Sequence, residues 1–196
     1  MKKVIVCGGG ALGSHLVWLG RSMEAHWLVI DGDSVETRNL ASQWFVRQMV
    51  GNPKAQALKS QMLNLAGQKI EAHGVRLRAN NVEALLSKAD LVVDCFDNAQ
   101  SRRLVQDFVR QQDIPCLHGG LSADGNFGMV RWDECFTIDS EDVRGQPTCD
   151  GGDFLPLIVR FSACLAESIR IWKTNDAKQN WNVSRTHAKS FEMEMK

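Results

Sequence analysis

KVIVCGGGALGSHL, residues 3–16, decides the fold. KVIVC is a short, apolar, β-branched run that reads as a buried strand. Gly8, Gly10 and Gly13 then form G-x-G-x-x-G, and Leu12, Leu16, Leu19 and Met23 recur at helical spacing. The order is strand, tight turn, helix. Glycine in such a turn permits the bend, lets backbone approach a phosphate, and leaves the helix amino end as an anion site. A glycine-rich turn with no ligand is the plainer reading of the same residues.

Working outward, HWLVI (26–30) supplies a second strand that ends at Asp31, and NPKAQALKSQMLNL (52–65) a second helix, with Asn52 as its cap and Pro53 in its first position. KIEAHGVRL (69–77) is a third strand candidate. Asn81 is placed to cap a short helix, VEALLSKA, ahead of DLVVDC (90–95), whose near-continuous apolar character suits a strand covered on both faces. NAQSRRLVQDFVRQQ reads as helix, IPCLH (114–118) and FGMVRW (127–132) as strands, and 133–153 as an acidic stretch without period. FLPLIVRFSACLAESIRIW (154–172) has the spacing of a core-packed helix. Strands alternating with helices predict an α/β fold: a Rossmann-like, mainly parallel sheet with helices on both faces, its ligand sites at the carboxyl ends of the strands. Residues 1–173 are expected to form a nucleotide-binding domain and 174–196 a loose polar arm, anchored at Trp181 and Phe191.

The 196 residues carry 23 Lys and Arg against 23 Asp and Glu, so the formal net charge is zero and no global field draws in nucleic acid or an anionic membrane. A nucleic-acid partner is therefore not expected. Six cysteines lie scattered without a C-x-x-C pair, which argues against a disulfide framework and a four-thiolate zinc site; reduced thiols and no zinc are expected. MKKVIVCGGG resembles a secretory leader only in its two lysines, and no run reaches membrane-spanning length, so a cytoplasmic home is expected.

Gly8 to Gly13 and Asp31, where an acid commonly holds ribose hydroxyls, fit NAD as readily as ATP. The residues downstream favour ATP. A dehydrogenase needs room to hold a substrate beside nicotinamide, yet the sheet consumes most of this chain. Lys54 in GNPKA and Asp97 in DCFDNAQSR sit at loop–helix junctions from which separate strands converge on one crevice.

Taken in order, G-x-G-x-x-G, D-x-D-x-V-E-x-x-N-L-x-x-Q, V-G-x-P-K-A and D-x-x-D-N-x-x-x-R resemble the ThiF/MoeB superfamily, which includes the ubiquitin-activating enzymes, over residues 3 to about 172. The resemblance implies an enzyme that uses ATP to activate the C-terminal carboxylate of a ubiquitin-like or sulfur-carrier protein as an acyl adenylate, usually as a homodimer. By position it implies Gly10 against the nucleotide, Asp31 on the ribose, Asn39 and Lys54 on the phosphates, and Asp97 on magnesium. Each role has a plainer rival: Lys54 as a solvated charge, Asp97 with Asn98 as a helix cap. Arg102 is expected to brace its helix or an acidic neighbour, and His118 to be a hydrogen-bonded structural histidine.

The pattern departs from the family in places. Where relatives carry arginine on the triphosphate this chain has Ser42, with Arg38 and Arg47 nearby in sequence. Many relatives lend an arginine across a dimer from a helix ahead of the first strand, and no such helix is expected here. Cys149, in PTCDGGDFLP, resembles the position from which sulfur-carrier activators link covalently to their partner. A helix amino end would lower its pKa, while Asp150 and Asp153 would oppose that. An NAD-binding oxidoreductase and a non-catalytic scaffold subunit are the competing readings.

Overall fold

The computed structural model describes residues 1–122, 124–138 and 152–192. Strands β1 (Lys2–Cys7), β2 (Ala25–Ile30), β3 (Glu71–His73), β4 (Leu91–Asp94), β5 (Cys116–Leu121), β6 (Phe127–Trp132), β7 (Gln179–Ser184) and β8 (Ala188–Glu192) alternate with helices α1 (Ala11–Leu19), α2 (Lys54–Ala66), α3 (Val82–Leu86), α4 (Ala99–Gln111) and α5 (Leu155–Asn175). The strands form one sheet in the order β3-β2-β1-β4-β5-β6-β7-β8. β1 to β5 pair parallel, and β6, β7 and β8 continue the sheet antiparallel.

The strand side chains alternate between two cores. Val4, Val6, Val29, Leu91, Val93 and Leu117 belong to one, and Ile5, Cys7, Leu28, Ile30, Val92 and Cys116 to the other. This is the period-two signature of a sheet buried on both faces. Leu16 of α1, Leu58 of α2 and Ile158 of α5 close the first core; Leu86 of α3 and Val105 of α4 close the second. The chain moves from β1 outward to β2 and β3, then returns to pair β4 with the other side of β1. That reversal opens a crevice at the carboxyl ends of β1 and β4, the place where ligands bind in open sheets of this kind.

Gly13 shows how tightly the first turn is built. A Cβ on it would lie 1.8 Å from the carbonyl oxygen of Gly8. Gly13→Ala is therefore expected to cost about 3 kcal/mol or more, by forcing α1 off the turn; denaturant unfolding measures it.

Several local expectations need correction. The third strand is only Glu71–His73, because this edge strand has a single neighbour and the rest of 69–77 has none to pair with. Pro53, with ψ 131°, is the N-cap of α2 rather than its first helical residue, and the Asn52 side chain donates to Met49 O (3.2 Å) instead of capping. Asn81 stands at the N-cap of α3, but its Oδ1 accepts from Arg78 N at 2.8 Å. The largest correction is at the end of the chain: residues 179–192, expected in a loose arm, form β7 and β8. Val183 is fully buried, and Trp181 Nε1 donates to Ser168 Oγ on α5 at 2.9 Å. Among the described residues, no helix is long and apolar enough to cross a membrane.

Candidate functional site

Cys7 pairs with Ile30 on one side and Asp94 on the other, so the glycine loop, Asp31 and the Cys95–Asn98 loop leave three adjacent strands at the same level. Gly8 has φ +99°, and a Cβ there would lie 3.0 Å from the Cys95 carbonyl, so only glycine lets β1 turn against β4. Gly9 N donates to Asp31 Oδ2 at 2.7 Å, and Asp33 N to Asp31 Oδ1 at 2.8 Å. Gly10 differs from both neighbours: a Cβ there would meet nothing within 4 Å. The turn is packed beneath Gly8 and Gly13 and open at Gly10, at the amino end of α1. Burial pushes the Asp31 carboxyl up, partly offset by the Asp33 amide, Lys54 and the Gly9 amide.

Backbone pairing brings α2 to this acidic loop: Val35 N donates to Asn52 O (2.9 Å) and Lys54 N to Asp33 O (2.8 Å). Lys54 is thereby only 9% exposed, which removes the solvated-charge reading. Its Nζ lies 3.7 Å from Asp33 Oδ2, a carboxylate that is itself half-exposed and shared with Arg76. Asn39 is buried in a 3-10 turn, Thr37–Ala41, where its Oδ1 accepts from Glu36 N at 2.9 Å. An open groove of about 420 Å³ lies beside Asp31, lined by Gly32, Val75, Arg76, Arg78, Asn80 and Asn81.

Asp97 leaves β4 on the far side of the glycine loop and is exposed. The cap of α4 is Asn98, whose Oδ1 accepts from Ser101 N (2.9 Å); the Asn98 side-chain amide also reaches the Asp97 carboxylate, at 3.5 Å. Among the described residues, no three His, Cys, Asp or Glu side chains cluster as metal ligands. An exposed carboxylate next to the glycine turn is a donor of the kind magnesium takes, since that ion binds one or two carboxylates and completes its shell with phosphate oxygens and water.

Beneath this loop lies a buried ionic network. Asp94 Oδ1 accepts from Phe96 N (3.0 Å), and Oδ2 faces Arg102 Nη1 (3.1 Å) and His118 Nδ1 (2.9 Å). Arg102 Nη2 also donates to Gly119 O (2.7 Å), so Arg102 braces an acidic neighbour, as expected. His118 Nε2 lies 3.1 Å from Asp133 Oδ1, which also binds Gln106, while Asp133 Oδ2 accepts from Arg110 at 2.6 Å. Burial alone would lower the His118 pKa; beside the Cys116 sulfur and bonded to Asp133 and Asp94, it is raised to about 11. Burial also pushes the Cys116 thiol up and keeps it neutral, so the two carboxylates supply the stabilisation. Against their own burial, Asp94 is held below the usual carboxylate range by Arg102 and His118, and Asp133 falls to about 2.

Cys149 lies outside the described residues. Burial raises the Cys7, Cys95, Cys116 and Cys164 thiols, which suits small apolar core residues rather than nucleophiles. Ser42 is fully buried and its carbonyl accepts from His15 Nε2 (3.1 Å), so this segment packs against α1. Arg38 pairs with Glu36 (2.8 Å), and Arg47 is exposed. The sequence reading missed Asp33 and Asp94; their position just past or at the end of a strand was the available signal.

A model of the ThiF family matches residues 1–195. Similar proteins include the adenylyltransferase and sulfurtransferase UBA4 of Lodderomyces elongisporus, 29% identical over 191 residues, which covers 91% of this chain and 42% of that protein. The SAMP-activating enzyme E1 of Haloferax volcanii is 32% identical over 122 residues, 61% of this chain and 45% of its own length. A sulfur carrier protein adenylyltransferase of Thermus thermophilus is 34% identical over 124 residues, 60% of this chain and 45% of that one. The chain thus spans less than half the length of these relatives. Among solved structures, E. coli MccB with ATP superposes with a TM-score of 0.78 at 19% identity, covering 99% of this chain and 64% of that one, and shows the fold.

Proposed function

We propose, from the premise that this chain belongs to the ThiF family, that it is an ATP-dependent adenylyltransferase activating the C-terminal carboxylate of a ubiquitin-like or sulfur-carrier protein. The observation that carries this reading is the buried Lys54 amine, 3.7 Å from the Asp33 carboxylate, its nearest among the described residues, at the same sheet end as an open glycine turn. A buried cation so weakly paired is poised for an anion.

In this reading the ribose sits against Asp31, with the base in the groove beside Gly32, and the phosphates run past Gly10 and the amino end of α1 toward Lys54 and Asn39. Asp97 would hold magnesium, which supplies charge neutralisation on the phosphates. The carrier carboxylate is ionised at neutral pH and attacks the α-phosphorus without a base, so the chain's residues need only align it and offset charge. Pyrophosphate leaves and the acyl adenylate forms. Attack on that adenylate by the Cys149 thiolate, releasing AMP, would be the second step. The enzyme would work as a homodimer in the cytoplasm.

Relatives named for SAMP activation and for sulfur-carrier adenylylation support this choice of substrate. ATP–pyrophosphate exchange tests it. Label should exchange only when a carrier ending in glycine is present. ATP binding without exchange across a panel of such carriers would favour a scaffold subunit, and NAD binding in preference to ATP an oxidoreductase.

A further inference from the structure

We propose that His118, bridging Asp94 and Asp133 beneath the nucleotide crevice, is a positioning residue that sets the loop carrying Asp97. The inference rests on the adenylation reading, and on a short path of contacts whose centre, Asp94 and His118, is fully buried. Asp94 uses one oxygen to fix the Phe96 amide, one residue before Asp97, and the other to meet Arg102 and His118. Asp94 and His118 have no exposed surface. Two elements therefore hold the loop from below: Arg102 from the first turn of α4, and His118 from β5.

Neither tie suffices alone. Arg102 is divided between Asp94 and the Gly119 carbonyl, so it tethers α4 to β5 as much as to β4. His118 is fixed at both ring nitrogens and on its face, where the Phe136 ring stacks at 4.1 Å and 8°. Its far partner, Asp133, is in turn locked by Gln106 and Arg110 of α4. The imidazole cannot rotate, so the Asp94 oxygen it holds cannot either, and the Phe96 amide follows. Each buried ring nitrogen needs a partner, and here both partners are carboxylates held by other elements, so the ring ties the position of one to the other. Outer groups that orient a metal's ligands commonly govern its affinity.

The test is Mn2+ binding, followed by electron paramagnetic resonance, to the protein complexed with a non-hydrolysable ATP analogue. His118→Gln can donate to only one of the two carboxylates. It should weaken Mn2+ binding by about tenfold and lower exchange at limiting magnesium more than at saturating magnesium. Asp133→Asn, which keeps shape and removes the anchoring charge, should shift binding in the same direction and serves as the second variant should His118→Gln not fold. Asp97→Asn provides the reference. In that background His118→Gln should add nothing to the loss of Mn2+ affinity, because its effect passes through Asp97.

A lowered melting temperature with unchanged Mn2+ affinity in the folded variants would make His118 a packing residue and overturn the inference. If Asp97→Asn itself leaves Mn2+ binding intact, the assignment of Asp97 to the metal fails first, which separates the two ideas.

Discussion

Lys54→Met should lower carrier-dependent ATP–pyrophosphate exchange by about 10²–10³-fold, the usual loss when one preorganised electrostatic group is removed from a reacting phosphate. It should also leave unfolding free energy within about 1 kcal/mol of the parent. The two expectations belong together. A buried ammonium loses hydration, and only a close, well-aligned partner returns it. At 3.7 Å, with Asp33 half-exposed and shared with Arg76, the ion pair is too long and too divided to do so. Methionine fills nearly the same volume without the charge, so folding should be indifferent to the change while ATP binding is not. A further consequence follows at Asp31: Lys54 is one of the groups that hold its raised pKa down, so in the variant that carboxyl should rise further. Equal exchange rates for variant and parent, measured at subsaturating ATP, would reduce Lys54 to a structural charge and remove the main support for adenylation.

Which parts of this arrangement the sequence made legible follows from range. The glycine turn, Asp31 and Lys54 are local: each is fixed by a strand end or a helix start within a few residues, and a period-two or 3.6-residue pattern marks those ends. β7 and β8 were not legible for the opposite reason. Apart from Trp181, Val183 and Phe191 their residues are small or polar, and such strands of five or six residues read as a tail. The caps failed where geometry competed: Asn52 and Asn81 turned their amides to neighbouring backbone, a choice such residues always have. The ionic network was half legible. Arg102 beside an acid, and a bonded His118, could be expected from type and place. That two carboxylates 39 residues apart in sequence converge on one imidazole is a product of β4, β5 and the turn after β6 meeting, which no local pattern encodes.

Asp97→Asn should show the sharper separation of function from folding. Its carboxylate is exposed and outside the helix cap, which Asn98 supplies, so the substitution should change stability by no more than about 0.5 kcal/mol. The same carboxylate, if it anchors magnesium on the phosphates, carries several kcal/mol of charge stabilisation. An amide of the same shape is a much poorer ligand, and exchange should fall about 10³-fold, equivalent to about 4 kcal/mol. Part of the loss should return as magnesium is raised, because a weakened site fills again by mass action. Rescue by metal is what distinguishes a lost ligand from a distorted crevice, since added magnesium cannot restore geometry. An Asp97→Asn protein that exchanges pyrophosphate within a few-fold of the parent at limiting magnesium would place the metal elsewhere, and Lys54 would then have to offset the phosphate charge without a second cation held at the end of β4.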